Sequence, residues 1–254
     1  MKIQYASDLH LEFPENRKFI SENPLKPEGD ILILGGDILL FRSIDDHKDF
    51  FDYCSDNFAF TYWIPGNHEY YHSDINERTG ELNEAVRKNV FLVNNTWANH
   101  GSAKLIFSTL WTKIYPDKAW SIQNGLNDFR VIKSGENRFS TIEYNRLFNV
   151  NLNFIKAALK DNTSENCIVV THHVPTFMNY PIEYIGSPIN QAFAVDLDGF
   201  IQSSAIDYWI YGHHHRNIDD FKIGNTELLT NQLGYVRANE HKGFNFNKII
   251  DKIF

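Results

Sequence analysis

Five times along this chain a short apolar run stops at a segment of two to four loop-forming or polar residues. Residues 2–6 end at Ser7-Asp8, 31–34 at Gly35-Gly36-Asp37, and 60–64 at Pro65-Gly66-Asn67. Cys167 to Val170 ends at Thr171-His172-His173, and Tyr208 to Tyr211 ends at Gly212-His213-His214-His215. Runs this short, bounded by turn formers, read as buried strands entering loops. Helical patterns fall between them. Residues 45–57 read as a helix, and a second starts at Asp74, with Glu77 as its capping-box partner, and runs to about Lys88. Residues 139–160 form the longest, with Leu147, Val150, Phe154 and Ala158 on one face. Lys104 to Leu110 alternates like a strand, and 221–223, 226–230 and 247–253 are β-like without clear helices, which implies a second sheet. The class is α/β. No repeat and no Pro-, Gly- or Ser-rich linker divides the chain, so 1–254 reads as one domain.

Composition excludes several classes. Hydrophobic content of 43% with 22% charged residues suits a globular core, not a disordered chain. No stretch approaches the ~18 uncharged apolar residues of a membrane helix, and Met1–Asp8 lacks the apolar centre of a secretory signal. Two cysteines, Cys54 and Cys167, cannot make a disulfide framework and read as buried apolar side chains. These features point to a cytoplasmic protein without a membrane partner. A net charge of −8 argues against extended nucleic acid as a partner, though not against a small phosphorylated substrate held by metal ions.

Histidine is the unusual residue. The chain has 11, and most fall in short clusters after strands. Asp8-Leu9-His10 is weak alone, since D-x-H arises about 0.8 times by chance in such a composition. Gly66-Asn67-His68-Glu69 is expected on the order of 0.004 times, and the two histidines spaced as in Gly212-His213-His214-His215 about 0.03 times. Of the two Gly-Asp pairs, Asp30 precedes its apolar run while Asp37 leaves it, so Asp37 is placed as a ligand. Carboxylates, imidazoles and an amide without nearby cysteine suit a pair of divalent ions such as manganese, iron, zinc, cobalt or nickel, and disfavour a structural zinc site.

The order D-L-H, G-D, G-N-H-E, T-H-H, G-H-x-H resembles the calcineurin-like metallophosphoesterase superfamily along the length of the chain. That resemblance implies a four-layer α/β/β/α sandwich of two mixed β-sheets flanked by helices. It implies one metal held by Asp8, His10, Asp37 and His215, and another by Asp37, Asn67, His172 and His213, with Asp37 bridging and His173 behind His172. His68 would be the catalytic imidazole beside the leaving group, with Glu69 bracing its loop. The implied reaction is hydrolysis of a small phosphomonoester or phosphodiester by a hydroxide shared between the ions.

Departures narrow the branch. Asp37 is followed by Ile38-Leu39-Leu40-Phe41-Arg42 and not by the x-x-D-R-G of protein serine/threonine phosphatases. Leu40 stands where purple acid phosphatases place a tyrosine ligand. Leu110-Trp111-Thr112 and Asn127-Asp128-Phe129-Arg130 resemble segments of compact bacterial members without a cap domain. On that resemblance Trp111, Tyr115, Trp120, Asn127, Asp128 and Arg130 would line the substrate cleft, Arg130 gripping phosphate. Plain packing competes for the aromatics and a surface ion pair for Arg130. Residues 176–195 form a long stretch expected to fold over the site. Two rival readings stand: a metal-dependent nuclease of the same superfamily, disfavoured by the charge, and a non-catalytic interaction module, disfavoured by the complete ligand set.

Overall fold

Side-chain alternation explains the layers of the computed structural model, which describes residues 1–160 and 162–251. The strands are β1 (Ile3–Ala6), β2 (Ile31–Leu34), β3 (Phe60–Trp63), β4 (Leu82–Arg87), β5 (Val90–Asn94), β6 (Thr96–His100) and β7 (Ala103–Ser108). A small hairpin, β8 (Lys133–Ser134) and β9 (Asn137–Arg138), precedes β10 (Asn166–Thr171), β11 (Tyr208–Tyr211), β12 (Phe221–Ile223), β13 (Thr226–Thr230) and β14 (Ile249–Ile250). One sheet runs β14-β1-β2-β3-β5-β4 and the other β12-β13-β11-β10-β7-β6. Both share a plan: four parallel central strands with an antiparallel strand at each edge.

Ile31 and Ile33 of β2 join Leu105 and Phe107 of β7 and Ile168 and Val170 of β10 in one buried cluster, which fills the space between the sheets. Tyr62 and Phe107 stack across it at 4.8 Å. Leu32 and Leu34 point the other way, into the cluster that includes the helices. Those helices are α1 (Pro14–Glu22), α2 (Lys48–Asn57), α3 (Pro116–Gly125), α4 (Asp128–Val131), α5 (Thr141–Lys160) and α6 (Asp198–Ser203). The architecture is the expected one of two mixed sheets flanked by helices.

In α5 the buried positions include Thr141, Tyr144, Phe148, Asn151, Ile155 and Ala158, a three-four spacing on one helical face. Val150 and Phe154, expected on that face, are rotated away from its centre. The buried amide of Asn151 is satisfied, its Nδ2 donating to Asn95 Oδ1 at 2.9 Å.

The helix expected from Asp74 to Lys88 does not form. Asp74 caps a single turn, Ile75–Glu77, accepting from Asn76 N at 2.9 Å. Gly80 then turns the chain at φ +83°, and β4 pairs antiparallel with β5 at the sheet's edge. Sheet pairing overrides the local propensity of Glu81-Leu82-Asn83-Glu84-Ala85. Sequence patterning also passed over α1, α3, α6, β5 and β6. Of the β-like segment 247–253, Ile249–Ile250 is a strand, and residues 252 and 253 lie outside the described residues. No helix of the described residues is long and apolar enough to cross a membrane.

Candidate metal centre

The C-terminal ends of β1, β2, β3, β10 and β11 converge, and the loops leaving them run side by side. Asp8 N donates to the Gly36 carbonyl and His10 N to the Asp37 carbonyl, both at 2.9 Å. His213 N, from the other sheet, donates to Asp8 Oδ1 at 3.0 Å. Asp8, His10, Asp37, His213 and His215 all lie at positive φ, between 49° and 82°. A non-glycine residue there costs roughly 1–3 kcal/mol. The five supply side chains to two adjoining donor groups, and the surrounding hydrogen bonds hold them there.

Atoms of Asp8, His10, Asp37 and His215 lie within 4.8 Å of one another, and those of Asp37, His172 and His213 form a second such group. Asp37 belongs to both, its Oδ2 3.8 Å from His10 Nε2 and its Oδ1 3.4 Å from His172 Nε2. Asn67 joins the second, with Oδ1 3.3 Å from His172 Nε2. Its amide orientation is fixed because Nδ2 donates to Asp128 Oδ1 at 2.9 Å. His173 is in neither group. It packs 4.3 Å from the His213 ring, and burial pushes it down to about 3, which keeps it neutral. His214 is also in neither group, its Nδ1 accepting from Gln232 Nε2 at 3.0 Å.

The donor set fits a cation. His10 Nδ1 donates to Glu12 Oε1 at 3.1 Å, and His215 Nδ1 to Glu240 Oε2 at 2.8 Å. Each neutral ring then carries its lone pair on Nε2, and these two nitrogens face each other at 2.9 Å. Two lone pairs at that distance repel unless a proton or a metal ion lies between them. Burial opposes charge on His215, but the hydrogen bonds and charges of Asp8 and Glu240 outweigh it and push the ring up to about 10. His172 is likewise opposed by burial and pushed up by Asp37 to about 9. A metal bound here would take the place of such protons.

Glycine makes the approach of the loops possible. A Cβ on Gly66 would lie 2.2 Å from Asp37 Oδ1 and 2.6 Å from His172 Nε2. Glu69 braces the same loops, its carboxylate accepting from the backbone N–H of Asp37, Ile38 and Gly66 and from Trp63 Nε1.

His68 stands beside the two groups. Its Nδ1 donates to Glu12 Oε1 at 2.8 Å, its ring stacks on Tyr71 at 4.1 Å, and Tyr235 OH lies 3.3 Å from Nε2. Burial opposes its charge, yet Asp37 and Glu12 raise it above the ordinary imidazole value. Glu12 is partly buried, which opposes its charge, but the hydrogen bonds of His10 and His68 hold its carboxyl down at about 2.

A cleft of about 620 Å³ opens over Asp37, Asn67, His68, His213 and His215. Asn127 and Asp128 line it, as does the 176–195 stretch through Tyr180, Tyr184, Ser187, Ile189, Asn190 and Phe193. Trp111 does not. It is 2% exposed and packs among Tyr70, Phe139, Tyr144 and His173, where burying an indole is worth more than displaying it. Arg130 is not on the wall either, because its guanidinium is turned to the Asn124 carbonyl on the surface. Tyr115 and Trp120 are exposed at and within α3, outside the lining. Glu12, Phe13, Tyr71, Tyr235, Arg237 and Glu240 were missed. Glu12 stood two positions from His10, but a lone glutamate carries no signal; the others come from stretches without periodicity.

Residues 1–217 match the family model of calcineurin-like phosphoesterases. The chain is 32% identical to protein L509 of Acanthamoeba polyphaga mimivirus, over 98% of this chain and 96% of that one. A phosphopantetheinyl hydrolase from Mycobacterium tuberculosis superposes with a TM-score of 0.72 at 16% identity, over 98% of this chain and 95% of the other. A dimetal phosphatase from Danio rerio superposes with a TM-score of 0.50 at 15% identity, over 91% and 87%.

Proposed function

The chain belongs to the calcineurin-like phosphoesterases, and from that membership we propose that it hydrolyses small phosphate mono- or diesters with two divalent transition-metal ions. The observation that carries the reading is the pair of donor groups sharing Asp37, with ring nitrogens left facing one another. Asp8, His10, Asp37 and His215 would hold one ion, and Asp37, Asn67, His172 and His213 the other. Such ions, when bound, polarise phosphoryl oxygens and lower the pKa of water. Asp8 and Asp37 neutralise only half the charge of two divalent ions, so the centre attracts a phosphate ester even on a chain of net charge −8.

The chain's own residues then divide the work. Glu12 holds the Nδ1 proton of His68, so Nε2 is the edge that delivers a proton to the departing oxygen. Asp128 fixes Asn67 with its carbonyl oxygen toward His172. Tyr180, Tyr184 and Phe193 wall the cleft for an aromatic or apolar substituent, and among the described residues its lining carries no lysine to follow a polymer backbone. The test is metal uptake. Protein purified without chelator and titrated with manganese should take up two ions per chain, and chelation should abolish turnover of chromogenic mono- and diesters. Asp37→Asn should weaken both sites; loss of only one would place the bridge elsewhere.

A further inference from the structure

Three arginines stand near the cleft, and two of them are already engaged. Arg130 donates to the Asn124 carbonyl. Arg216 donates to Glu183 Oε1 at 2.7 Å, lies 3.7 Å from Glu240 Oε1, and covers the Tyr184 ring at 5.5 Å. Arg237 differs. Its guanidinium carbon lies 5.2 Å from the centroid of Phe13 and 5.8 Å from that of Tyr235, and it lines the cleft. Among the described residues no carboxylate comes within 4.0 Å of it. Aromatic faces hold a guanidinium by its charge and leave its fork of N–H donors free for an oxyanion.

The two rings also say where this cation sits. Tyr235 lies 4.5 Å from the His215 ring and 4.7 Å from the His10 ring, with its hydroxyl 3.3 Å from His68 Nε2, and Phe13 lies 5.9 Å from the His10 ring and 6.3 Å from the His68 ring. Arg237 is therefore on the His68 flank. The opposite flank is aromatic: Phe193 stacks on His213 at 4.7 Å, and Tyr180 lies 5.9 Å from His214.

We propose that Arg237 selects esters whose leaving group carries a second oxyanion, a phosphate or a carboxylate, which its guanidinium binds while the scissile phosphate occupies the metal centre. This deepens the phosphoesterase reading and rests on His68 marking the leaving-group side. Hydrolysis itself is unchanged: water oxygen bonds to phosphorus, the ester P–O bond breaks, and the departing oxygen takes a proton. A charge-assisted pair of this kind is worth about 10- to 100-fold in selection.

The test uses metal-loaded full-length protein and three methyl phosphodiesters with 4-carboxyphenyl, 4-phosphonophenyl or neutral 4-carbamoylphenyl leaving groups. The wild type should favour one or both charged esters over the amide in kcat/KM by about tenfold or more. Which of the two is favoured identifies the oxyanion. Arg237→Ala should lower kcat/KM for the favoured ester, chiefly through KM, about tenfold more than for the amide, and Arg237→Lys should restore part of the difference. Moving the carboxylate to the retained alkyl group should remove the sensitivity to Arg237. Equal losses on charged and neutral esters, or no preference in the wild type, would overturn the proposal while leaving the phosphoesterase intact. No turnover of any ester would sink both.

Discussion

His68 and Asn67 are neighbours in sequence with different partners, and that difference is testable. His68→Ala removes no member of either donor group holding Asp37, so both ions should stay while turnover falls by about 10²–10⁴. The loss should be greatest on esters with poor leaving groups; an equal loss on good and poor ones would leave His68 only an electrostatic part. Asn67→Ala should instead lower the occupancy of one ion, and Asp128→Asn should do so more weakly by freeing the Asn67 amide to flip. Glu12 Oε1 accepts from both His10 and His68, so Glu12→Gln should keep both ions but cost about 10- to 100-fold in rate, with the same leaving-group bias. A loss of metal without that bias would confine Glu12 to the ligand His10. At this scale the candidate ligands were legible because each follows a strand end in an improbable combination. Glu12, Tyr235 and Arg237 were not, because single glutamates, tyrosines and arginines occur everywhere and only the fold brings these to the cleft. Trp111 was misplaced because aromatic richness does not tell a wall from a core.

Among elements, α5 and β4 mark what periodicity can and cannot carry. The 20-residue α5 is long enough for its apolar stripe to be visible, and its buried face crosses under one continuous core cluster. Ile155→Ala there should destabilise the protein by about 2–5 kcal/mol. Ile142→Ala on the same helix, at 81% exposure, should stay within about 0.5 kcal/mol, as read by denaturant midpoints. Similar costs for the two would mean that the helix packs on another face. The segment that became β4 carries good helix formers, and nothing local announces that β5 will pair with it. The five strand-to-loop junctions were legible for the opposite reason, since their turn residues are demanded by the loops themselves. Gly66 shows how tightly: Gly66→Ala should fold yet bind metal poorly, because its methyl would occupy the place of the Asp37 carboxylate. Normal uptake in that variant would mean that the loops can separate.

Across the whole molecule, each sheet contributes candidate ligands to both proposed ions, so metal would tie the two sheets together. Binding to the folded state alone at a hundred times Kd should add about 2.7 kcal/mol, seen as a higher Tm that chelation reverses. The thiols offer an independent check on the core. Cys54 and Cys167 are buried, and burial raises both, Cys167 to about 12, so neither should react with a thiol reagent at neutral pH until the protein unfolds. The arrangement of ligands along the chain has a consequence for synthesis. Asp8, His10, Asp37 and Asn67 leave the ribosome first, and each proposed ion waits for a histidine at 213 or 215. The strand beside β1 waits for Ile249–Ile250, and Ser7 N waits for the Asn231 carbonyl. A polypeptide interrupted anywhere before residue 213 would hold an incomplete cage, so a growing chain would have no complete donor set for either proposed ion until synthesis has passed that residue.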